Sequence, residues 1–223
     1  MVSRIDRKQV VDTALRLLNE VGLEGLTLRR IAKELNVQAP ALYWHFKNKQ
    51  ELLDEMATEM FRRMSGPLMA DGAAAVGMTW QDMLVTSCST LRRHLLGYRD
   101  GARVISGTRM TDDSYVAPLN GFLSRFIDAG FTLRDAARSF WTAYNFTIGL
   151  VIEEQSVHPD PQEPAKRDPA YDLAGREERM AADHPLAALA GREMFGDIEA
   201  SFAHGLRLIV AGIEATSGRG AGG

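Results

Sequence analysis

Residues 27–49 read TLRRIAKELNVQAPALYWHFKNK and decide the architecture predicted for the start of the chain. Their pattern predicts two short helices, at 28–35 and 38–44, joined by a tight two-residue turn. Thr27 is placed to cap the first helix, and Pro40 falls in the first turn of the second, where no hydrogen bond within the helix is lost. The stretch is therefore a predicted helix-turn-helix.

The charges of this stretch are one-sided. Its single acidic residue, Glu34, is accompanied by five cations: Arg29, Arg30, Lys33, Lys47 and Lys49. Cations on both sides of a helix-turn-helix neutralise DNA phosphates on either side of a groove. The Tyr-Trp-His cluster at 43–45 is suited to pack on sugars and to donate to phosphates. In isolation these residues equally fit an aromatic core pair under a solvated charged face, but charge, spacing and aromatics together favour DNA.

Residues 26–54, LTLRRIAKELNVQAPALYWHFKNKQELLD, resemble the DNA-binding domain of the tetracycline repressor (TetR) family. The preceding residues 14–27, ALRLLNEVGLEGLT, are similar to that family's first helix and its exit. Further matches are YRDGARV (98–104), GTR (107–109) and NFTIGLVIEEQ (145–155). They extend the resemblance to the C-terminal part of the chain, residues 66–216, which we call the body. The chain therefore resembles the tetracycline repressor branch itself.

Composition sets the class of protein. The 223 residues have the apolar and charged content of a globular protein with a substantial core. Residues 1–64 carry a net charge of +2 and the remainder −5, which suits a specific DNA binder. A lone Cys88 excludes a disulfide within the chain and favours a buried apolar residue over a sensor thiol. No signal peptide is evident, and the longest apolar run, 140–152, is too short to span a bilayer, so we expect a cytoplasmic protein without a membrane partner.

Helical spacing recurs along the chain and no strand pattern persists, so the predicted fold class is all-α. Four parts are predicted: a helix-turn-helix DNA-binding domain at 1–49, a connecting helix at 50–65, a helical effector-binding and dimerisation domain at 66–216, and a disordered tail at 217–223. The predicted helices are 7–21, 48–64, 79–97, 111–130, 133–155 and 196–215, with a connection at 65–77 and a mobile loop at 156–183 that includes a short helix at 171–180.

The helix at 133–155 is apolar on most sides, which is typical of a subunit interface in a protein of this size. In the helix at 196–215, Gly205 and Gly212 are placed to permit close approach of a neighbour. We therefore expect a homodimer through these two helices.

Catalytic signatures are missing from the sequence. It contains no GxSxG, Walker A, GxGxxG or HExxH motif, and none of its five histidines has metal-ligand spacing with another. The sequence therefore predicts a protein that is not an enzyme and that needs no cofactor and no metal.

The resemblance implies a transcriptional repressor. A homodimer of this family places two reading helices in successive major grooves of a palindromic operator and is released by a small-molecule effector. Arg29 and Gln38 are the candidates for base readout. The DNA contacts carried over by motif position are Thr27, Arg29, Gln38, Pro40, Tyr43, Trp44, His45 and Lys49. The alternative is a small-molecule binding or sequestering protein with a non-functional DNA head.

The resemblance also implies an effector site in the body. Its predicted residues are Ser87, Leu91, Ile105, Thr108, Arg109, Asn145 and Glu153. Ile105 stands where the family carries a histidine that ligates the magnesium of the drug complex, and Ser65 stands at another family histidine. Without the imidazole, a metal loses its main protein ligand. We hypothesise a small, largely apolar effector that requires no divalent ion; a shift in these matches would instead leave a different pocket.

Overall fold

A computed structural model describes residues 5–70 and 77–216, with residues 67–70 described by their backbone only. The described residues form eleven α-helices, one 3-10 helix at Pro169–Tyr171 and no strand, which confirms the all-α prediction. The helices are α1 Arg7–Gly25, α2 Leu28–Glu34, α3 Ala39–Tyr43, α4 Lys49–Ala70, α5 Trp80–Leu96, α6 Gly101–Ile105, α7 Val116–Asp128, α8 Leu133–Val157, α9 Leu173–Met180, α10 Pro185–Phe195 and α11 Ile198–Thr216. Within these residues no helix has both the length and the apolar content of a membrane span. The predicted tail at 217–223 lies outside the described residues.

Helices α2 and α3 form the predicted helix-turn-helix. The Thr27 hydroxyl accepts a hydrogen bond from the Arg30 backbone N–H at 3.2 Å, which caps α2 as expected. Asn36 turns the chain with a φ of 53°, in the left-handed region that asparagine tolerates better than most residues. Leu42 and Phe46 are fully buried, so they fix α3 against the rest of this unit.

Helix α1 is interrupted where its predicted end lies. Gly22 has a φ of 68° and a ψ of 176°, and the helical turn resumes after it up to Gly25. The break frees the Leu23 backbone N–H, which donates to Asp100 Oδ2 at 2.8 Å. A Cβ at Gly22 would lie 2.9 Å from that oxygen. Glycine is therefore required here both by its backbone angle and by the contact with the body.

Helix α4 is longer than predicted. The connection expected from Ser65 onward is helical as far as Ala70. Packing explains the extension, because Ser65 is buried and Phe61 and Met64 before it contact the body. The start of α4 matches, with Asn48 accepting from the Glu51 N–H at 2.9 Å.

The boundaries of the later helices differ more from the prediction. Helix α7 begins at Val116 rather than at Thr111, because residues 109–114 form a loop bonded to α4. Helix α10 was not predicted at all. The short helix expected within the loop after α8 is present as α9, and α8 and α11 match their predicted ranges to within two residues at each end.

The body is built around α8, which packs against α5, α7 and α11. Gly205 of α11 lies against the Phe146 ring of α8, so that a Cβ there would overlap the ring. Phe146 in turn stacks on Phe202 with ring centroids 5.9 Å apart. Gly205 therefore permits close approach within one chain, not of a neighbour, which corrects the expectation. Gly212 has open space around it.

Replacement of Gly205 by alanine should destabilise the body. The new methyl group has to displace the Phe146 ring from its stack, and such overpacking costs about 1–3 kcal/mol in the free energy of unfolding. Urea denaturation followed by circular dichroism measures the change. Gly121→Ala is the matched control, since Gly121 is also helical but has nothing within 4 Å. Equal stability of the two variants would contradict this account of Gly205.

Candidate functional site

The end of α3 exposes two large aromatic side chains. Tyr43 is 54% exposed and Trp44 is 90% exposed. The alternative that this pair belongs to the core is therefore wrong. Large apolar side chains left in water next to each other usually mark a contact surface. The other residues predicted to contact DNA lie on the same unit, and all are exposed except His45, which is half-buried.

The helix-turn-helix and the residues just after it also carry four cations without a described carboxylate partner. They are Arg29, Arg30, Lys33 and Lys47, all exposed. The one acidic residue of the stretch, Glu34, is paired with Arg16 of α1. The cations are thus available to phosphates, whereas Arg16 and Lys8 on α1 are already neutralised within the helix or by Glu34.

The position of α3 depends on a residue that the sequence pattern did not single out. Arg7 donates to the His45 carbonyl at 2.6 Å and to Glu55 at 3.1 Å, and its guanidinium lies 4.3 Å from the centre of the Phe46 ring. It thereby clamps the end of α3 between α1 and α4. Because its partners lie 38 or more residues away, no local pattern could have indicated this role.

Lys49 has a partner within the protein. Its ammonium donates to the Leu23 carbonyl at 2.9 Å, which ties the start of α4 to the end of α1. The side chain remains exposed and has two further donors. Its contact with a phosphate stays a prediction.

A cavity of about 390 Å³ lies in the body among α4, α5, α7 and α8. This volume is within the range of about 300–1,000 Å³ that is usual for small-molecule sites. Its lining residues are Phe61, Met64, Ser65, Leu84, Ser87, Cys88, Thr90, Leu91, Ile105, Met110, Tyr115, Pro118, Leu119, Phe122, Phe140, Trp141, Ala143 and Tyr144.

Three of the seven predicted effector residues line this cavity: Ser87, Leu91 and Ile105. The other four lie outside its lining, and each of them makes another contact or points to solvent. The Thr108 hydroxyl donates to the Ile105 carbonyl at 2.8 Å, and the Asn145 amide donates to the Trp141 carbonyl at 2.7 Å.

Arg109 uses its backbone N–H for a bond to Asp54 while its guanidinium is exposed, and Glu153 is exposed. A role for Thr108, Arg109, Asn145 and Glu153 in effector binding stays a prediction. The aromatic lining from α7 and α8 was missed, although Phe140, Trp141 and Tyr144 stood out in the sequence as part of an apolar helix.

The described walls of the cavity carry no charged side chain. Burial raises the pKa of the Tyr144 hydroxyl and of the Cys88 thiol, so both are neutral near pH 7. Cys88 is buried, as the sequence predicted. Nowhere in the described parts of the chain do three or more His, Cys, Asp or Glu side chains form a group that could hold a metal ion.

Comparison with known proteins places this arrangement in a family. The model of the tetR family of bacterial regulatory proteins matches residues 10–56, and that of the tetracyclin repressor-like C-terminal domain matches residues 74–217. The class C tetracycline repressor protein of Escherichia coli is 36% identical over 216 residues, which are 96% of this chain and 92% of that protein. The chain belongs to the TetR family.

Two solved TetR structures resemble the fold over nearly all of its length. A possible TetR family transcriptional regulator from Streptomyces coelicolor A3(2) is 38% identical, with a TM-score of 0.79 and coverage of 94% of this chain and 99% of that one. A TetR variant from Acinetobacter baumannii AYE, in complex with minocycline, is 29% identical, with a TM-score of 0.67 and coverage of 95% and 97%.

In this TetR chain, one face of α4 binds the loop between α6 and α7. The Asp54 carboxylate accepts from the Arg109 backbone N–H at 3.1 Å, and the Thr58 hydroxyl accepts from the Thr111 backbone N–H at 2.9 Å. Asp54 and Thr58 are both buried, and residues four apart lie on the same side of a helix. The same stretch also carries Glu51, Glu55 and Glu59, so no local pattern set Asp54 and Thr58 apart in the sequence.

Arg62 extends this contact by one helical turn. It donates to Asp112 Oδ2 at 2.6 and 3.0 Å. Hydrogen bonds from Ser114, together with the Arg62 guanidinium, lower the pKa of Asp112 from 3.8 to about 2. The contribution of the Asp112 carboxylate to the stability of the folded state is therefore complete above pH 3.8 and is lost only as the pH falls toward 2. The contact between Arg62 and Asp112 is thus insensitive to pH in the physiological range.

Thr58→Val should weaken the contact between α4 and the loop. Valine keeps the shape but removes the acceptor, and the Thr111 N–H is left without its partner, at a cost of about 1–3 kcal/mol in the free energy of unfolding. Hydrogen exchange at the Thr111 amide should accelerate accordingly. Thr86→Val, at an exposed threonine of α5, is the control and should change stability by less than about 0.5 kcal/mol. Unchanged exchange at Thr111 in Thr58→Val would show that the bond does not protect this loop.

Proposed function

We propose that this chain is a transcriptional repressor that binds a palindromic operator as a homodimer and is released by a small-molecule effector. One observation carries the proposal: exposed aromatics and unpaired cations on a helix-turn-helix are joined by the single helix α4 to a cavity of small-molecule size. The name of the class C relative describes a repressor, and a TetR neighbour was solved with minocycline bound. A protein of this function works where the DNA is, in the cytoplasm of a bacterium, and needs no catalytic group.

Contact with DNA would divide between two kinds of side chain. Arg29 and Gln38 are exposed at the starts of α2 and α3, where they suit hydrogen bonds to purine edges in the major groove. Tyr43 and Lys47 flank them and suit the phosphates. The exposure of Trp44 argues against a non-functional head, because a large aromatic in water is a liability unless it binds something.

The homodimer would use the exposed faces of α8 and α11. Leu208, Ala211, Gly212 and Ala215 of α11 are all exposed and recur at the spacing of one helical face. Trp141 of α8 is 61% exposed. These small and apolar groups support packing against a second copy, which would set two heads about 34–36 Å apart, one turn of DNA.

Effector binding would act on the heads through α4. Phe61, Met64 and Ser65 of α4 line the cavity, so a bound molecule touches the helix directly. Met110 also lines the cavity, in the loop whose backbone is bonded to Asp54 and Thr58. A molecule that displaces Met110 would shift α4 and hence the spacing of the two heads. By linkage, operator DNA must weaken effector binding by the same factor.

Base contacts and phosphate contacts can be distinguished by titrating the protein into the duplex that lies upstream of the chain's own gene and monitoring binding by fluorescence anisotropy. Arg29→Ala should weaken the operator complex by about 1–3 kcal/mol and relax its sequence preference, because a base contact is lost. Lys47→Ala should weaken all duplexes alike and lower the slope of log K against log salt by about 1.

Lys8→Ala is the matched control, since Lys8 lies on α1 and is already paired with Asp12. It should leave both the affinity and the salt slope unchanged. A wild-type protein that shows no preference for any duplex over random competitor at physiological salt would favour the sequestering protein instead.

Dimerisation is tested by Leu208→Glu. A carboxylate in the packed interface is costly, so the variant should sediment as a folded monomer and lose operator affinity by about 100-fold or more, since two linked heads bind far more tightly than one. Ile127→Glu, at an exposed position of α7, should remain dimeric. A Leu208→Glu protein that is still dimeric in analytical ultracentrifugation would place the interface elsewhere.

A further inference from the structure

The chemistry of the cavity restricts what can bind there. Its described walls are formed mainly by aromatic, aliphatic and thioether side chains, and the polar groups of these side chains are hydroxyls, the indole N–H of Trp141 and one buried thiol. An ion brought into such a site loses its hydration without gaining an opposite charge, which is far more costly than transfer of a neutral group. The walls therefore select against ions.

The aromatic groups of α8 favour a flat molecule. The Trp141 ring stacks on the Tyr144 ring at an interplanar angle of 14° with centroids 5.4 Å apart, and Phe140 stacks on Tyr144 at 27° and 6.0 Å. A flat ligand can extend such a row by stacking on the face of an end ring, and the end ring Trp141 is 61% exposed. A cage for a cation needs ring faces directed at a common point. The row thus fits a planar aromatic ligand better than an ammonium group.

Polar groups on two walls of the cavity add a weaker preference for a ligand with a neutral polar edge. The Ser65 hydroxyl of α4 and the Ser87 hydroxyl of α5 line the cavity and have no hydrogen-bond partner among the described residues. A hydroxyl can donate to a neutral carbonyl, hydroxyl or amine, and it can accept from a hydroxyl or an amine N–H. A ligand with one polar edge would satisfy them without carrying charge.

A magnesium chelate does not fit these residues. Magnesium prefers hard oxygen ligands with carboxylate charge, and histidine is the ligand that the resemblance implies. The cavity has neither Asp, Glu nor His on its described walls, and Ile105 occupies the place of the family histidine. The donor set disagrees with metal-assisted binding.

We propose that the effector of this chain is a neutral, planar aromatic molecule of a few rings with one polar edge, bound without a metal ion. This inference rests on the proposed function, in that it takes the cavity to be the effector site. The volume of about 390 Å³ is near the lower end of the usual range, so the ligand is small and fills the space between α4 and the stacked rings.

The charge preference is tested on the wild-type dimer with a matched pair of fluorescent probes. N-phenyl-1-naphthylamine is neutral, and its 8-sulfonate is the same molecule with one negative charge. The neutral probe should bind at about micromolar concentration, and the sulfonate at least about tenfold more weakly, with no change between magnesium and EDTA. Acridine against the 10-methylacridinium ion, at a pH where acridine is neutral, repeats the comparison for a positive charge.

The place at which the neutral probe binds is tested by a substitution that fills the cavity. Ser87→Phe should weaken the neutral probe at least about tenfold, whereas Thr86→Phe, at the adjacent exposed residue of α5, should not. The charge comparison needs no variant and therefore stands even if Ser87→Phe misfolds. Equal or tighter binding of either charged probe, no binding of the neutral probe, or magnesium-dependent micromolar binding of tetracycline would each overturn the proposal.

Operator binding is also measured in the absence of any probe, so that failure of the proposed ligand class can be distinguished from failure of the proposed repressor function. A protein that binds its operator specifically but prefers a charged probe or a magnesium chelate is a repressor with a different effector class. A protein that binds the neutral probe in the cavity but has no operator preference supports the ligand class and refutes the repressor. Release of the operator by the neutral probe, without magnesium, would support both.

Discussion

Burial of α4 in both halves of the molecule is the constraint on which the other features depend. Leu52, Met56 and Met60 of this helix are almost fully buried, in an apolar core that runs without a break from α1 to α5, α6 and α8. Side chains packed at interior density do not deform continuously. A shift at one end of the helix therefore requires the side chains along its length to repack. The head cannot move relative to the body without moving α4.

The two ends of this helix meet opposite chemistry. At the head, cations and aromatics are left in water, where they are inexpensive to keep and free to meet a polyanion. In the body, a cavity without charge on its described walls excludes ions and favours neutral molecules. Between the two ends, the buried polar groups of Asp54 and Thr58 accept hydrogen bonds from the loop that contains Met110. The helix face that is bonded to this loop therefore also adjoins the cavity.

The accuracy of the sequence analysis varied with the range of the interactions involved. The predicted range of α2 and the predicted start of α8 agree with the structure to within one residue, because the Thr27 cap, the left-handed turn at Asn36 and the Thr132 cap are each decided within a few residues. The start of α7 was misplaced by five residues, since Asp112 is bonded to Arg62, 50 residues earlier, and not to the start of a helix.

The cavity shows the same limit. Ser87, Leu91 and Ile105 were predicted through the resemblance and line it, but Phe122 of α7 and Tyr144 of α8 line the same space only because α5, α7 and α8 pack together. Likewise the sequence placed Gly205 beside a neighbour, and the fold placed it under Phe146 of its own chain.

By itself, the sequence determined the helical class, the helix-turn-helix, its excess of cations and an isoleucine at position 105, where the resemblance implies a histidine. These features depend on residue identity and on hydrogen bonds within one or two turns. Only the tertiary structure decided that Trp44 is exposed, that Arg7 clamps α3, and that α4 joins the cavity to the head. Those properties arise where side chains far apart in sequence exclude water from one another, and burial of this kind is set by the whole packed chain.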